Sequence, residues 1–436
     1  MDLHGSPYQD YLYAYPHKTA YRPLRPRPPL TDVWAGEQTG ALFLYLHVPF
    51  CEMRCGFCNL FTRARPPAEQ VRAYLAQLRR QAGRVGAALG PAARFARGAI
   101  GGGTPTYLTA AELHALFDVV DGMAGRPLPV SVETSPATAT ADRIAVLVER
   151  GASRISIGVQ SFLDVEAHAA GRPQRRVDVD RALAVLRDLR APAVNIDLIY
   201  GIPGQTPRSW EVSLAAALSW APEELYLYPL YVRPLTGLAR RPSTVDDEWD
   251  GQRLSLYRQA RDRLRAAGYR QLSMRHFRRP SPSDVDDGDY CCQDDGMVGL
   301  GCGARSYTRN LHYSFDYAVG VRGVRGIIDD YLARPVEDFE FAEVGFWLDG
   351  TEQRRRWLVK TLLRTEGTDV AGYAERFGTA LLDDFPQLAT LGDEGWLSIV
   401  EGRLVLTDAG LERSDAVGPW LVSGPVRTAM AEYVPR

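Results

Sequence analysis

The stretch Leu42-Phe43-Leu44-Tyr45-Leu46-His47-Val48 runs straight into Pro49-Phe50-Cys51-Glu52-Met53-Arg54-Cys55-Gly56-Phe57-Cys58. Its first half is a short apolar run stopped by a proline, the pattern of a buried strand. Its second half puts three cysteines on one loop at Cys-x3-Cys-x2-Cys spacing. Thiolates are soft ligands, suited to zinc or to the iron of iron-sulfur clusters. A structural zinc site is four-coordinate and needs a fourth Cys or a His at finger-like spacing. None follows Cys58, and His47 lies inside the strand. A disulfide framework does not suit an odd, closely spaced trio in a chain that opens without a secretory pattern. Three thiolates on a tight loop suit a 4Fe-4S cluster held at three corners, whose fourth iron stays open to a substrate or cofactor.

Outward from this loop, short apolar runs alternate with longer amphipathic stretches from about residue 42 to 231. The spacing predicts strands at 42–48, 97–100, 130–133, 154–158, 194–199 and 224–228, with helices at 68–88, 110–123, 142–150, 177–189 and 209–220 between them. That rhythm is the signature of βα units around a parallel sheet, a partial (β/α)6-type barrel in the α/β class. Chemistry in such folds gathers at the carboxyl ends of the strands. Polar or glycine residues stand there: Gly101-Gly102-Gly103-Thr104, Glu133, Gln160 and Asp197. A glycine run lets backbone approach a ligand, although on its own it reads equally as a turn. A strand-end carboxylate can accept hydrogen bonds from hydroxyl or ammonium groups.

The flanks divide the chain further. Residues 1–40 form an N-terminal arm whose 8–29 segment is too rich in proline for regular structure. The barrel core is expected over 41–240, and a substrate-side extension over 241–349 holds one strong helix (249–267) followed by an irregular polar segment. The last part, 350–436, reads as helices and a hairpin turning at Glu401-Gly402, a mainly helical, winged-helix-like domain. Such a wing can bind DNA elsewhere, but no basic helix and a net charge of -2 over 436 residues argue against nucleic acid as a partner. No apolar run is long enough to span a membrane, and no signal peptide is evident. A cytoplasmic, reducing location is expected. Lysine occurs only at Lys18 and Lys360, so arginine carries the positive charge, and arginine suits planar recognition of carboxylates. Cys291, Cys292 and Cys302 read as buried thiols rather than as a second cluster site.

The cysteine spacing, with Tyr45-Leu46-His47-Val48-Pro49-Phe50 before it, resembles the signature of the radical S-adenosylmethionine (SAM) superfamily, in its oxygen-independent coproporphyrinogen III oxidase-like (HemN/HemW-like) branch. The resemblance implies that Cys51, Cys55 and Cys58 ligate a 4Fe-4S cluster whose open iron is chelated by SAM. One electron then splits the sulfonium, and the resulting 5'-deoxyadenosyl radical takes hydrogen from unactivated carbon. It further implies SAM contacts at Gly102, Gly103, Thr104, Glu133, Gln160, Arg172 and Asp197. Tyr45 would stand near the sulfonium, where an aromatic face favours a cation. Phe57 falls at an aromatic position touching a second SAM. Two further ligand positions fall on Tyr231 and Arg305, where this chain departs from the decarboxylase's side chains.

The resemblance extends to the arm at Tyr13-Ala14-Tyr15-Pro16, to Gly299-Leu300-Gly301-Cys302-Gly303-Ala304 and to the C-terminal part. Gly268 to Pro280 resembles a segment near the substrate pocket. Its four arginines and His276 suit an acidic substrate such as a propionate-bearing tetrapyrrole, or form a basic face answered by Asp284, Asp286, Asp287 and Asp289. One departure stands out: the decarboxylase has a further cysteine two residues after the third, where this chain has Leu60. The branch implies a small-molecule substrate, an electron donor such as flavodoxin or ferredoxin, and one of three activities. These are oxidative decarboxylation of coproporphyrinogen III in porphyrin biosynthesis, methyl transfer with two SAM molecules, or haem chaperoning without turnover. In the last case His47, His276 or a cysteine would have to be the axial ligand.

Overall fold

A computed structural model describes residues 2–240, 247–280, 292–294 and 296–434. Its centre is a run of six hydrogen-bonded parallel strands. These are β1 (Leu42–Val48), β2 (Phe95–Gly102), β3 (Val130–Thr134), β4 (Ala152–Gln160), β5 (Val194–Tyr200) and β6 (Glu224–Pro229). The crossovers are α1 (Ala68–Leu89), α2 (Ala110–Ala124), α3 (Ala141–Glu149), α4 (Arg176–Asp188) and α5 (Pro207–Ser219). Each expected strand and helix of this region is present, with ends moved by one to a few residues, as fraying and capping move them.

The sequence explains the local choices. In α1, Val71, Tyr74, Leu78, Ala82 and Val85 recur at helical spacing and are buried against the sheet. In α2, the Thr109 side chain accepts from the Glu112 N–H while the Glu112 carboxylate accepts from the Thr109 N–H, a reciprocal cap, and Gly125 ends the helix in the left-handed conformation. Leu42, Leu44 and Leu46 alternate inward along β1 at 0–1 % exposure, which fixes its register beside β2.

The extension departs from expectation. After α6 (Asp247–Ala266) the chain does not stay irregular: it adds strands to both edges of the core sheet. On the β6 side, β7 (Arg270–Gln271) and β8 (His276–Arg278) form a hairpin whose second strand pairs antiparallel with β6. On the β1 side, β9 (Met297–Leu300) lies parallel to β1, followed by β10 (Arg305–Tyr307), β11 (Leu311–Ser314) and, after the helix α7 (Val321–Ala333), β12 (Val344–Trp347). With a short strand from the arm, Arg22–Pro23, the sheet reaches thirteen strands among the described residues. These additions are two to four residues long, too short for an alternating pattern to stand out from turn residues.

The arm also differs. It holds a two-residue strand, Arg22–Pro23, paired with β12, and it is not a loose tail: Leu12, Ala14, Tyr15 and Ala20 are buried. Arg253 of α6 stacks on the Tyr8 ring at 4.2 Å. The C-terminal part has α8 (Gly350–Leu362), α9 (Val370–Phe377) and the expected hairpin, β13 (Leu397–Val400) with β14 (Arg403–Leu406), in a three-stranded sheet, then a terminal helix α10 (Gly424–Ala431). No helix among the described residues is long and apolar enough to cross a membrane.

Candidate functional site

All six core strands point their carboxyl ends toward one cavity of about 790 Å³, and all three cluster cysteines and all eleven candidate ligand residues line it. The cysteine loop leaves β1 through Pro49 and is closed at its base by pairing of Phe50 with Arg63 and of Cys51 with Ala64. At its tip the Gly56 N–H donates to the Gly171 carbonyl at 3.0 Å, and the Gly56 carbonyl accepts from the Leu238 N–H at 2.8 Å. Cys51, Cys55 and Cys58 are each partly exposed, free thiols. Burial pushes Cys51 up to about 12 and raises Cys55, while the Arg172 charge pulls both the other way. Ionising Cys51 and Cys55 therefore calls for more positive charge than the protein supplies, which iron would bring. The three thiolates share one loop and line a cavity that leaves room for a ligand beside them, as a cluster held at three corners requires. The donor set fits a cluster. His47 is not a spare ligand: its Nε2 faces the Phe61 carbonyl at 3.1 Å and its Nδ1 the Tyr45 hydroxyl at 3.2 Å. Burial lowers its pKa to about 4.

Across from the loop, β2 ends in the glycine strip. Gly102 has φ +110, and an added Cβ would stand 2.3 Å from the His47 ring, so only glycine fits there. The strip's N–H groups are already used: Gly102 donates to the Glu133 carboxylate at 3.0 Å, Gly103 to Val48 O and Thr104 to Phe50 O at 2.8 Å each. The Thr104 hydroxyl lies 3.6 Å from Cys51 Sγ. With its donors occupied, this wall suits a ligand that is itself a donor. The carboxylates agree. Glu133 lines the cavity with its side chain exposed there, yet the protein around it raises it to about 7 by desolvation despite the Gly102 hydrogen bond, with the Asp197 charge adding to the rise. Burial lifts Asp197 to about 6 although the Asn195 amide donates to it at 2.7 Å. Two carboxyl groups held in this way gain from a bound cation.

The opposite charge is nearby. The Arg172 guanidinium makes no hydrogen bond or ion pair among the described residues and acts electrostatically on Cys51, Cys55 and Asp197. It is poised for a ligand carboxylate. Gln160 sits at φ +69 where the β4–β5 register slips, a strained placement that aims its side chain beside Gly158 and Arg172. Phe57 packs with Ile199, Ile202 and Leu230. The Tyr231 hydroxyl donates to Asp415 and its ring carries Arg233 at 4.5 Å.

The sequence reading overlooked the cavity's roof. Asp10, Tyr11, Tyr13, His17 and Lys18 of the arm, with Tyr317 and Tyr433, complete the wall. The rarity of lysine marked Lys18, but nothing local placed it. Conversely, the basic segment 268–280 does not line the cavity. Arg275 is buried in an ion pair with Asp415, Arg278 pairs with Glu224 at 2.9 Å and Arg279 with Glu223 at 2.9 Å, while His276 stacks on Tyr226. Glu224 of β6, Glu223 just before it and an aspartate of the C-terminal part answer these arginines. The expected partners Asp284, Asp286, Asp287 and Asp289, like Cys291, lie outside the described residues. Cys302 is buried, with its thiol raised by burial to about 12.

With this geometry in hand, the relatives can be named. The Radical SAM superfamily matches residues 45–217 and the HemN C-terminal domain residues 348–412. The oxygen-independent coproporphyrinogen III oxidase of Cereibacter sphaeroides is 32 % identical over 309 residues, 66 % of this chain and 68 % of that protein. Its counterpart in Paracoccus denitrificans is 33 % identical over 276 residues, 61 % of this chain, and the match spans 60 % of that relative's length. The heme chaperone HemW of Bacillus subtilis is 27 % identical over 381 residues, covering 84 % of this chain and 95 % of that one. The solved structure of coproporphyrinogen III oxidase (HemN) from Escherichia coli, described as a radical SAM enzyme, superposes with a TM-score of 0.76 at 22 % identity, over 97 % of this chain and 98 % of that one.

Proposed function

Because the chain belongs to the radical SAM superfamily, in the branch that joins oxygen-independent coproporphyrinogen III oxidases to HemW, we propose that it is a radical SAM oxidoreductase acting on a carboxylate-bearing tetrapyrrole. The observation that carries this reading is the convergence on one cavity of the cysteine loop, an anionic pair and an unpartnered guanidinium. Cys51, Cys55 and Cys58 would hold the 4Fe-4S cluster. When bound, that group supplies the electron that splits the sulfonium of SAM into methionine and a deoxyadenosyl radical able to take hydrogen from carbon.

The chain's own residues do the rest. Arg172 takes the SAM carboxylate in charge-assisted hydrogen bonds. Glu133 and Asp197 meet its ammonium and ribose hydroxyls, and Tyr45 faces the sulfonium. The Gly102 N–H holds the Glu133 carboxylate in place at 3.0 Å. The aromatic roof, Tyr11, Tyr13, Tyr317 and Tyr433 among it, keeps water from a reactive radical. A small flavodoxin or ferredoxin in a reducing cytoplasm would supply the electron. The relatives' name makes coproporphyrinogen III the first substrate to test. Mass analysis separates its oxidative decarboxylation, a loss of carbon dioxide and two hydrogens per propionate, from a methyl gain.

Anaerobic reconstitution followed by incubation with SAM and a reductant tests the reading. Native protein is expected to release 5'-deoxyadenosine and Cys55→Ala none; equal release overturns it. A second reading, a haem chaperone without turnover, is favoured by the match that covers 95 % of HemW. His47 is committed on both ring nitrogens and His276 is absent from the cavity wall, so the lining residues able to ligate haem iron include His17, Met53 and Cys302. A Soret shift on adding haem, without deoxyadenosine, would select it.

A further inference from the structure

The Tyr13 hydroxyl accepts a hydrogen bond from Arg305 Nη1 at 2.9 Å, and the Lys18 ammonium lies against the same hydroxyl. The Arg305 guanidinium also covers the Tyr13 ring at 4.7 Å. Two cations thus share one neutral oxygen, and among the described residues neither has a carboxylate within ion-pair distance. The acidic groups nearby are spoken for or peripheral: Asp10 pairs with Arg233 at 2.5 Å, and Asp316 stands on the cavity rim. A double positive charge left facing a cavity is costly to bury without a counter-ion. The phenol registers it. Burial pushes Tyr13 up, yet the Arg305 and Lys18 charges outweigh that and hold it below its usual value. Lys18 itself is lowered to about 8 by burial, with the Arg305 charge adding to the effect.

The placement relates this pair to the reaction centre. Lys18 Nζ sits 3.6 Å over the Tyr317 ring, and the Tyr317 hydroxyl donates to the carbonyl of Asn59, the residue after Cys58. Lys18 also belongs to the arm, so a ligand engaging it would tie roof to floor.

We propose that Lys18 and Arg305, bridged by the Tyr13 hydroxyl, form a clamp for a carboxylate of the substrate and fix which end of it faces the cysteine loop. This rests on the tetrapyrrole reading above and adds to it the residues that select a free propionate. The ammonium and the guanidinium each donate to the carboxylate in place of the shared phenol oxygen.

Equilibrium binding of coproporphyrin III and of its tetramethyl ester to the anaerobic holoenzyme, read by porphyrin fluorescence, tests the clamp. The native protein is expected to bind the acid at least tenfold more tightly than the ester. Lys18→Met and Arg305→Met should each weaken the acid by about tenfold while leaving the ester unchanged, with Arg305→Lys recovering part of the loss. A mere packing defect would weaken both ligands together. Acid and ester bound alike by the native protein, or variants that bind the acid as the native does, would overturn the clamp and leave the tetrapyrrole reading standing. Binding of neither ligand by the native protein would overturn both. A fall in SAM affinity that matches the fall for the acid would assign the pair to the cofactor's carboxylate and overturn the clamp.

Discussion

Gly171 and Gly56 pack backbone against backbone: a Cβ on Gly171 would stand 2.7 Å from Gly56 Cα, where the Gly56 N–H donates to the Gly171 carbonyl at 3.0 Å. Gly171 adopts φ +71. Gly171→Ala therefore costs about 1–2 kcal/mol for the left-handed conformation and also lifts the loop that carries Cys55 and Cys58. Iron bound per chain after reconstitution is expected to fall at least twofold. Gly36→Ala is the control, since Gly36 has φ +75 but nothing within 4 Å of an added Cβ. It should lower the melting temperature while leaving iron content as in the native protein.

The loop and the βα rhythm were legible because their signals are local. Three cysteines within eight residues need no partner to be recognised, and α1 announces its buried face through Val71, Tyr74, Leu78, Ala82 and Val85. Glu133 and Gln160 fall at strand ends, which parallel strands bring to one side, while Asp197, in the middle of β5, was legible only through the family resemblance. What stayed hidden depends on long-range contact. Lys18 reaches the cavity because the arm packs back over the sheet, and Arg275 turns away because Asp415, 140 residues later, meets it. Short edge strands such as Arg305–Tyr307 carry too few residues for a pattern.

Arg275 and Asp415 form an ion pair whose side chains are 4 % and 2 % exposed, and Tyr231 donates to the same carboxylate. Removing one member of such a pair strands the other charge away from water. Asp415→Leu is expected to lower unfolding free energy by about 3–5 kcal/mol, and the double variant Arg275→Met/Asp415→Leu to recover most of it. Urea unfolding of the native protein, Arg275→Met, Asp415→Leu and the double variant measures the coupling. The Tyr231 hydroxyl loses its acceptor in both Asp415 variants, so SAM affinity in the recovered double variant reports whether that ring's placement matters to the cavity.

The Arg172 guanidinium lines the cavity with no hydrogen-bond or ion-pair partner among the described residues, and a charge-assisted hydrogen bond is worth about 1.5–3 kcal/mol. Arg172→Met should weaken SAM binding by about tenfold or more, and Arg172→Lys by less, because a lysine keeps the charge but not the two-pronged geometry. The methyl ester of SAM discriminates. It should bind native and Arg172→Met proteins alike if the guanidinium grips the carboxylate. Equilibrium dialysis against both ligands checks this.

Glu133 and Asp197 give the site a pH dependence whose sign follows from burial. Their pKa values, about 7 and about 6, lie above the ordinary carboxyl range, and because the Asp197 charge contributes to the Glu133 shift the two titrate as a pair. Without SAM both are largely protonated below pH 6, and an ammonium group gains little from a neutral acid. SAM affinity is therefore expected to rise between about pH 6 and pH 8, and to be weak and nearly flat in Glu133→Gln. Stability runs the other way. A carboxyl group whose folded pKa is raised favours the folded state below its unfolded value, near 4.5 for Glu, and that contribution is lost as pH climbs through about 7. Glu133→Gln should then melt at a higher temperature than the native protein at pH 8 and no higher at pH 5. Added SAM should reverse the order at pH 8, because the ligand stabilises only the chain whose carboxylate meets it. Thermal scans at the two pH values, with and without SAM, would show a flat difference if Glu133 faced water freely.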